Sequence, residues 1–560
     1  IISVTDENGY YCEYQYNQIG LPYKLTDEND GEYTDLQTFT YDAMGNVISV
    51  KDALNNTTNI TYDFLGRQTS VKYPGNTQTV KAKYYDVFLE GDTKYSVYLT
   101  ISETGRISCE YYDVYGRLVK TALIKNYSSF SESDFDDIYQ MPSNAQLIIT
   151  SRYVYDDLDR VIEQYDGENR PTYYTYDSMG NVLNMTQGNV NESGNDPQII
   201  VNYEYDSVGN ITKSTQGTHV YTYEYDYAGR LTKLTDPMNF TETYTYDTAG
   251  NIKTSKDKNG DITTNTYNSR GLVSKTEKDN KYIEYTYDSV GKLSTSTDEN
   301  GTISYTYNYD GTIASKTYPD NKTITYSGYN ANKKLTSMTD YLGNTTTYAY
   351  NARGLIVSIG EKYSGTTSTN TTRYTYNSDG SLQKVTYPLS NYMTSTYTYD
   401  YAGRVSNLTN KLTSSSTYST HNYTYDNSGN ITQKVENIQG TSKTTSYIYD
   451  SHNRLTNENI AGSWNSYDYD QYGNLASETG WGDISYYYDA NNRLVNIVDK
   501  NSYKETANGE IYSLWESFLS YDKNGNLLTY NTSSYVTSAN SNSKTYTYDV
   551  WGRLTNFSDT

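Results

Sequence analysis

From residue 282 the chain reads Tyr282-Ile283-Glu284-Tyr285-Thr286-Tyr287, so that Tyr285 and Tyr287 stand two positions apart with a polar residue between them. Side chains at i and i+2 share one face of a strand, and this segment predicts a β-strand with an aromatic face. Asp288-Ser289-Val290-Gly291 follows. Asp at the first turn position can accept backbone N–H bonds two residues on, and Gly at the fourth tolerates positive φ, which predicts a type I turn with a G1 bulge. The chain returns as Lys292-Leu293-Ser294-Thr295-Ser296-Thr297, turns at Asp298-Glu299-Asn300-Gly301, and starts again with Thr302-Ile303-Ser304-Tyr305-Thr306-Tyr307. Other second turns are Asp257-Lys258-Asn259-Gly260 and Asp340-Tyr341-Leu342-Gly343. Two strands and two turns per unit, in chain order, make an antiparallel meander.

The pattern recurs along almost the whole sequence as Tyr-Asp-x-x-Gly-(Asn/Arg)-(Leu/Val/Ile). It begins clearly at Tyr41-Asp42-Ala43-Met44-Gly45-Asn46-Val47, reappears at Tyr225-Asp226-Tyr227-Ala228-Gly229-Arg230-Leu231, and last occurs at Tyr548-Asp549-Val550-Trp551-Gly552-Arg553-Leu554. Further copies are Tyr205, Asp206, Gly209; Tyr246, Asp247, Gly250; and Tyr287, Asp288, Gly291. In the regular middle stretch the motif tyrosines 205, 225, 246, 267, 287 and 307 fall 20 or 21 residues apart. Such a period marks a stacked architecture whose units contact mainly their neighbours, so residues 1–560 read as one continuous array and the length prior for several globular domains does not apply. Longer intervals mark insertions near 121–150 and 495–520, which in repeat arrays usually map to surface loops.

These copies resemble the YD-repeat (Rhs-repeat) family, over roughly residues 10–557. Tyr16-Asn17, Tyr329-Asn330 and Tyr350-Asn351 depart by replacing Asp with Asn, which can make the same turn, and the copy at Tyr329 also has Lys333 where the Gly should be. The resemblance implies a β-sheet spiralling into a hollow shell or barrel wall, as in polymorphic toxin shells, insecticidal toxin complexes and teneurin-like proteins. Family members with a toxin carry a self-cleaving core after the repeats. No counterpart occurs here, and Asp236-Pro237-Met238-Asn239 reads as an ordinary turn between repeats.

Composition adds that the wall should be thin. There are 71 tyrosines against 8 phenylalanines and 4 tryptophans, and the apolar share is 35%, which is too little for a thick dry core. Tyrosine offers a large ring whose hydroxyl can stay wet. About forty strands at ~4.8 Å spacing would run on the order of 190 Å, roughly one circuit of a cylinder ~60 Å across.

The net charge of −23, with a pI near 4.6, excludes a nucleic-acid backbone as partner and suits a soluble secreted chain. No run approaches the ~18 apolar residues of a membrane span. The start at Ile1, without Met or an apolar leader, and the stop soon after Gly552 read as cuts through a longer array. His219, His421 and His452 lie far apart, and Cys12 and Cys109 form no metal or redox motif, so no catalytic, cofactor or metal residues are assigned. The motif aspartates recur as turn formers, and no differentiated acid–base pair stands out. Asp27-Glu28-Asn29-Asp30-Gly31 and Asp257-Lys258-Asn259-Gly260-Asp261 lack calcium-loop spacing.

The expected function is therefore structural: an encapsulating shell segment of a secreted or wall-associated bacterial protein. Its expected partners are flanking repeats and a toxin domain encoded outside this sequence. The alternative is a cell-surface adhesin binding glycans or partner-cell proteins through exposed tyrosines and inserted loops.

Overall fold

The computed structural model describes residues 3–5, 11–29, 32–137, 141–188, 198–388, 393–412, 416–480, 482–505, 511–533 and 542–559. Among them are 47 β-strands, two short 3-10 helices (Tyr127–Ser129 and Glu132–Phe135) and no α-helix. Strands pair antiparallel with the next in the chain: Ile199–Tyr205 with Ile211–Gln216, which pairs in turn with His219–Tyr225. The all-β meander of ~21-residue repeats read from the sequence is the observed fold.

The motif hairpin has a recurring register. Glu204 faces Lys213 but Tyr205 faces Ile211, so one residue of the return strand is skipped. The same slip occurs at Tyr41, Tyr225, Tyr246 and Tyr548. It is the bulge expected from Gly at the fourth turn position, and Gly209 has φ +93. Where the copy at Tyr329 lacks that Gly, Lys333 takes φ 58 and its N–H still reaches the Asn330 carbonyl at 2.8 Å. Neighbouring pairing thus outweighs a backbone strain on the order of 1 kcal/mol. The second turns vary more: Asp257 to Asp261 repeats the bulged geometry, whereas Asp298 faces Gly301 directly across a two-residue loop.

By internal contact the chain divides into two compact units. Unit 1 comprises Ile1–Thr150, Tyr285–Thr424 and Val435–Ser442; unit 2 comprises Ser151–Glu284, Tyr425–Lys434 and Lys443–Thr560. Most residues of the regular repeats are half-buried, as a single sheet with little covering it requires. Unit 1 contains an exception. Tyr85, Phe88, Val97, Leu99, Cys109, Tyr111 and Ile124 form a dry cluster on one face of strands Val80–Glu90, Thr93–Ile101, Ile107–Tyr112 and Leu118–Ile124. Phe135, from the stretch 121–150, is 1% exposed within it. Residues 125–137 of that stretch, expected as a surface loop, instead fold back and supply a lid to a local core. Near 495–520 the extra length lies in two long strands, Leu494–Glu505 and Ile511–Tyr521. Cys12 and Cys109 are both free thiols.

Gly250 has φ +93, and a Cβ there would find only Arg230 Nη1, at 3.7 Å, so the constraint is backbone conformation and not space. Gly250→Val should destabilise its hairpin by roughly 1–3 kcal/mol, because a β-branched residue is forced into the left-handed region. Thr248→Ala, at an exposed position of the same turn, should shift chemical denaturation hardly at all.

Candidate functional site

The repeat turn is built around its aspartate. Asp42 Oδ1 accepts the N–H groups of Met44 and Asn46, each at 2.9 Å, while Oδ2 accepts Asn46 Nδ2 at 2.9 Å. In the arginine version, Asp226 Oδ1 takes Ala228 N and Arg230 N, and Oδ2 takes Arg230 Nε at 2.8 Å. Asp206, Asp247 and Asp549 repeat the scheme, and Asp288 Oδ1 accepts Val290 N and Lys292 N. The sixth motif position is Asn or Arg because either can return a donor to the same carboxylate. That side-chain bond, joined by the backbone N–H groups, holds Asp42, Asp206, Asp226 and Asp247 below the usual carboxylate range. Gly45, Gly209, Gly229, Gly250, Gly291 and Gly552 all have φ between +76 and +93.

The motif tyrosine carries the link between repeats. Tyr205, Tyr225, Tyr246 and Tyr548 donate their hydroxyls to the carbonyls of Val182, Ile211, Leu231 and Leu527, at 2.7 to 2.9 Å. Tyr41 donates likewise to Pro22. Each acceptor is the seventh position of the preceding motif, whose carbonyl is thus bonded one repeat later. The sequence reading left these hydroxyls wet; they are structural donors, which explains why phenylalanine does not replace tyrosine. The arginine version adds a second interlock: Arg230 stacks over the ring of Tyr246 at 4.5 Å, and Arg160 over Tyr176 at 4.7 Å.

Within each unit the chain also meets itself edge to edge. In unit 1 Asn332 Nδ2 donates to Asp52 Oδ2 at 2.7 Å, Asn76 Nδ2 donates to the Ser378 carbonyl at 2.6 Å, and Arg106 pairs with Asp379. In unit 2 Asn491 Nδ2 donates to Asp236 Oδ2 at 2.8 Å, and Asn259 Nδ2 to Asp522 Oδ2 at 2.9 Å. Asp236, in the turn read as ordinary, is buried and also pairs with Lys258 at 3.0 Å. These partners stand 255 to 302 residues apart. Each seam sets second turns of an earlier run of strands against motif turns of a later one. Within each unit a later run of strands thus meets an earlier one roughly half the chain's length away in sequence, where one circuit for the whole chain was expected.

Two histidines are seam residues. His219 stacks on Tyr472 with centroids 3.6 Å apart, beside a 2.7 Å bond between Thr218 Oγ1 and the Tyr472 hydroxyl, and His452 Nε2 lies 3.1 Å from the Gln187 carbonyl oxygen. His421 lies by Glu436 at 3.2 Å. Among the described residues no three His, Cys, Asp or Glu side chains converge as metal ligands.

A self-stacking tandem-repeat β-meander, with its chemistry invested in turns and seams, is the class that this geometry defines. The RHS Repeat family model matches residues 205–238, 225–262 and 329–362, and the Teneurin YD-shell model matches residues 389–560. Over those stretches the sequence is that of the YD-repeat (Rhs-repeat) family. No curated protein matches the sequence. Among solved structures it is similar to a chain of the Photorhabdus luminescens Tc holotoxin pore with the TccC3-D651A mutation, at 14% identity and a TM-score of 0.59. That likeness covers 100% of this chain but 38% of the solved one, and it supports the fold. TcdB2-TccC3-TEV is also similar, at 14% identity, a TM-score of 0.46 and coverage of 97% and 40%.

Two predictions follow from these bonds. Tyr246→Phe keeps the ring and loses one interior hydrogen bond, leaving the Leu231 carbonyl without that donor; a loss of about 1 kcal/mol is expected by denaturant titration. The second concerns pH. Burial lowers the His219 pKa from 6.5 despite the opposing pull of Asp470 and Asp489, so its contribution is present above pH 6.5 and is lost as pH falls through the lowered value. Asp52, Asp166, Asp379 and Asp522 are lowered from 3.8, since hydrogen bonds and ion pairs overcome the burial that would raise them; their contribution is lost only below that value. Hydrogen exchange should register an early loss around residues 218–221 that His219→Gln abolishes, and a later one around Asp52, Asp166, Asp379 and Asp522.

Proposed function

We propose that residues 1–560 are one continuous segment of the encapsulating wall of a secreted or wall-associated bacterial Rhs/YD-repeat protein. In this reading it houses or presents a toxin or effector encoded elsewhere in the parent chain, has no reaction of its own, and has the flanking repeats as its partners. The seam carries the proposal: a sheet whose later strands bond edge to edge with its earlier ones is laid in courses, as a wall is. The half-buried character of the regular repeats agrees, because a packed barrel would bury one face fully. Among the described residues no helix is long and apolar enough to cross a membrane.

A surface adhesin is the second reading, and one feature favours it. On the face of the sheet opposite the dry cluster, Tyr84 and Tyr98 stack at 5.0 Å beside Arg67, Glu110 and Tyr112, around a cavity of about 400 Å³ whose chemistry suits a sugar.

Small-angle scattering in the dilute limit tests the wall. A filled globule of this length has a radius of gyration of about 24 Å. A larger value, with the scattering profile of a hollow body, is expected; the globule's value would end the proposal.

A further inference from the structure

The third and fourth motif positions, the two variable residues between Asp and Gly, do different work in different parts of the chain. In later copies the fourth position makes the seam: Asn332, Asp379, His452, Tyr472 and Asn491 all sit there, and all reach an earlier second turn. In the earlier copies of unit 1 the same position holds Ile19, Met44, Leu65 and Tyr115, which are 70%, 65%, 57% and 78% exposed. Early copies in unit 2 repeat this with Leu158, Met179 and Val208 at 69%, 63% and 76%. At these positions the bonded edge is polar and the open edge apolar, the reverse of what solubility alone would select, although Val290, Ala402 and Trp551 hold the fourth position of other later copies. Successive motif turns lie two strands apart, so Ile19, Met44 and Leu65 recur about every 10 Å along one edge, with Tyr115 four strands beyond Leu65. Large side chains repeated in register on an open edge mark an interaction surface.

The seam also indicates what such an edge docks on, since there a motif-turn edge meets a second-turn edge. Unit 1 presents a second-turn edge of matching chemistry in its later run. Tyr341 and Leu342 of the turn 340–343, and Tyr363 of the next second turn, are 51%, 60% and 53% exposed. We infer that the apolar motif-turn edge at Ile19, Met44, Leu65 and Tyr115 docks on the second-turn edge at Tyr341, Leu342 and Tyr363 of a second copy of this chain. The contact continues the seam's geometry from one molecule to the next, with apolar contacts where the internal seam uses hydrogen bonds. It is heterologous, with different surfaces on the two partners, so copies add head to tail. The inference does not depend on the shell reading, because it concerns edges and not an interior.

Sedimentation velocity across a concentration series tests it with the full chain. The unmodified chain should associate beyond a dimer as concentration rises. Met44→Asn with Leu65→Asn, and separately Tyr341→Asn with Leu342→Asn, should each weaken association about tenfold or more, with thermal melts unchanged because all four positions are exposed. Mixed together, the two variants retain one good edge each and should form a heterodimer that grows no further. A chain that stays monomeric throughout, association insensitive to both double variants, or a Tyr341/Leu342 variant that dimerises as well as the unmodified chain would each overturn the proposal.

Discussion

The bond from motif tyrosine hydroxyls such as those of Tyr205, Tyr225 and Tyr246 to a carbonyl of the preceding repeat is the interaction on which this structure depends. A sheet with few apolar residues cannot be held by burial alone, and strand pairing by itself permits one-residue slips that exchange the two faces. The tyrosine removes that freedom. Its ring covers the sheet while its hydroxyl reaches a defined acceptor, as from Tyr246 to Leu231 or from Tyr225 to Ile211, so register is fixed once per repeat. One such bond is worth only about 1 kcal/mol, but it recurs, and in a repeat array nearest-neighbour contributions add along the chain.

Much of this was legible in the sequence because it is local. Period-2 tyrosines and Asp-x-x-Gly determine the strands, the turn and the bulge through interactions spanning a few residues, and Asp42 and Asp226 behave as their spacing predicts. The copy at Tyr329 was the harder case. Lys333 occupies a glycine's conformation there because the hairpins on either side impose it, which no single turn's residues reveal. The tyrosine acceptors could have been inferred from the excess of tyrosine over phenylalanine, a sign that the hydroxyl matters.

What could not be read was whatever joins residues hundreds of positions apart. Nothing near Asn332 or Asp52 announces their bond, since both look like turn residues. The difference between polar and apolar fourth positions was present in the sequence, yet it acquires meaning only once the seam identifies that position as the one facing another course. Phe135 is similar: in a segment rich in Ser and Asp it reads as a loop residue until the cluster of Tyr85, Leu99 and Tyr111 appears beneath it. Long-range placement, and not local propensity, decides both.

The acidity of the chain fits the same account. A charge of −23 would repel one course from the next if the carboxylates were free. They are not free. Motif aspartates are surrounded by their own turn's N–H groups and by Asn or Arg, and the seam brings Arg106 to Asp379, Lys333 to Asp27 at 3.2 Å and Asn491 to Asp236. The neutral donors stabilise these carboxylates as anions and only the Arg and Lys partners cancel charge; the remainder is screened within about 8–10 Å by salt. The negative charge is therefore a by-product of choosing aspartate as the turn former, made tolerable because the residues that complete the turn and the seam are its hydrogen-bond donors.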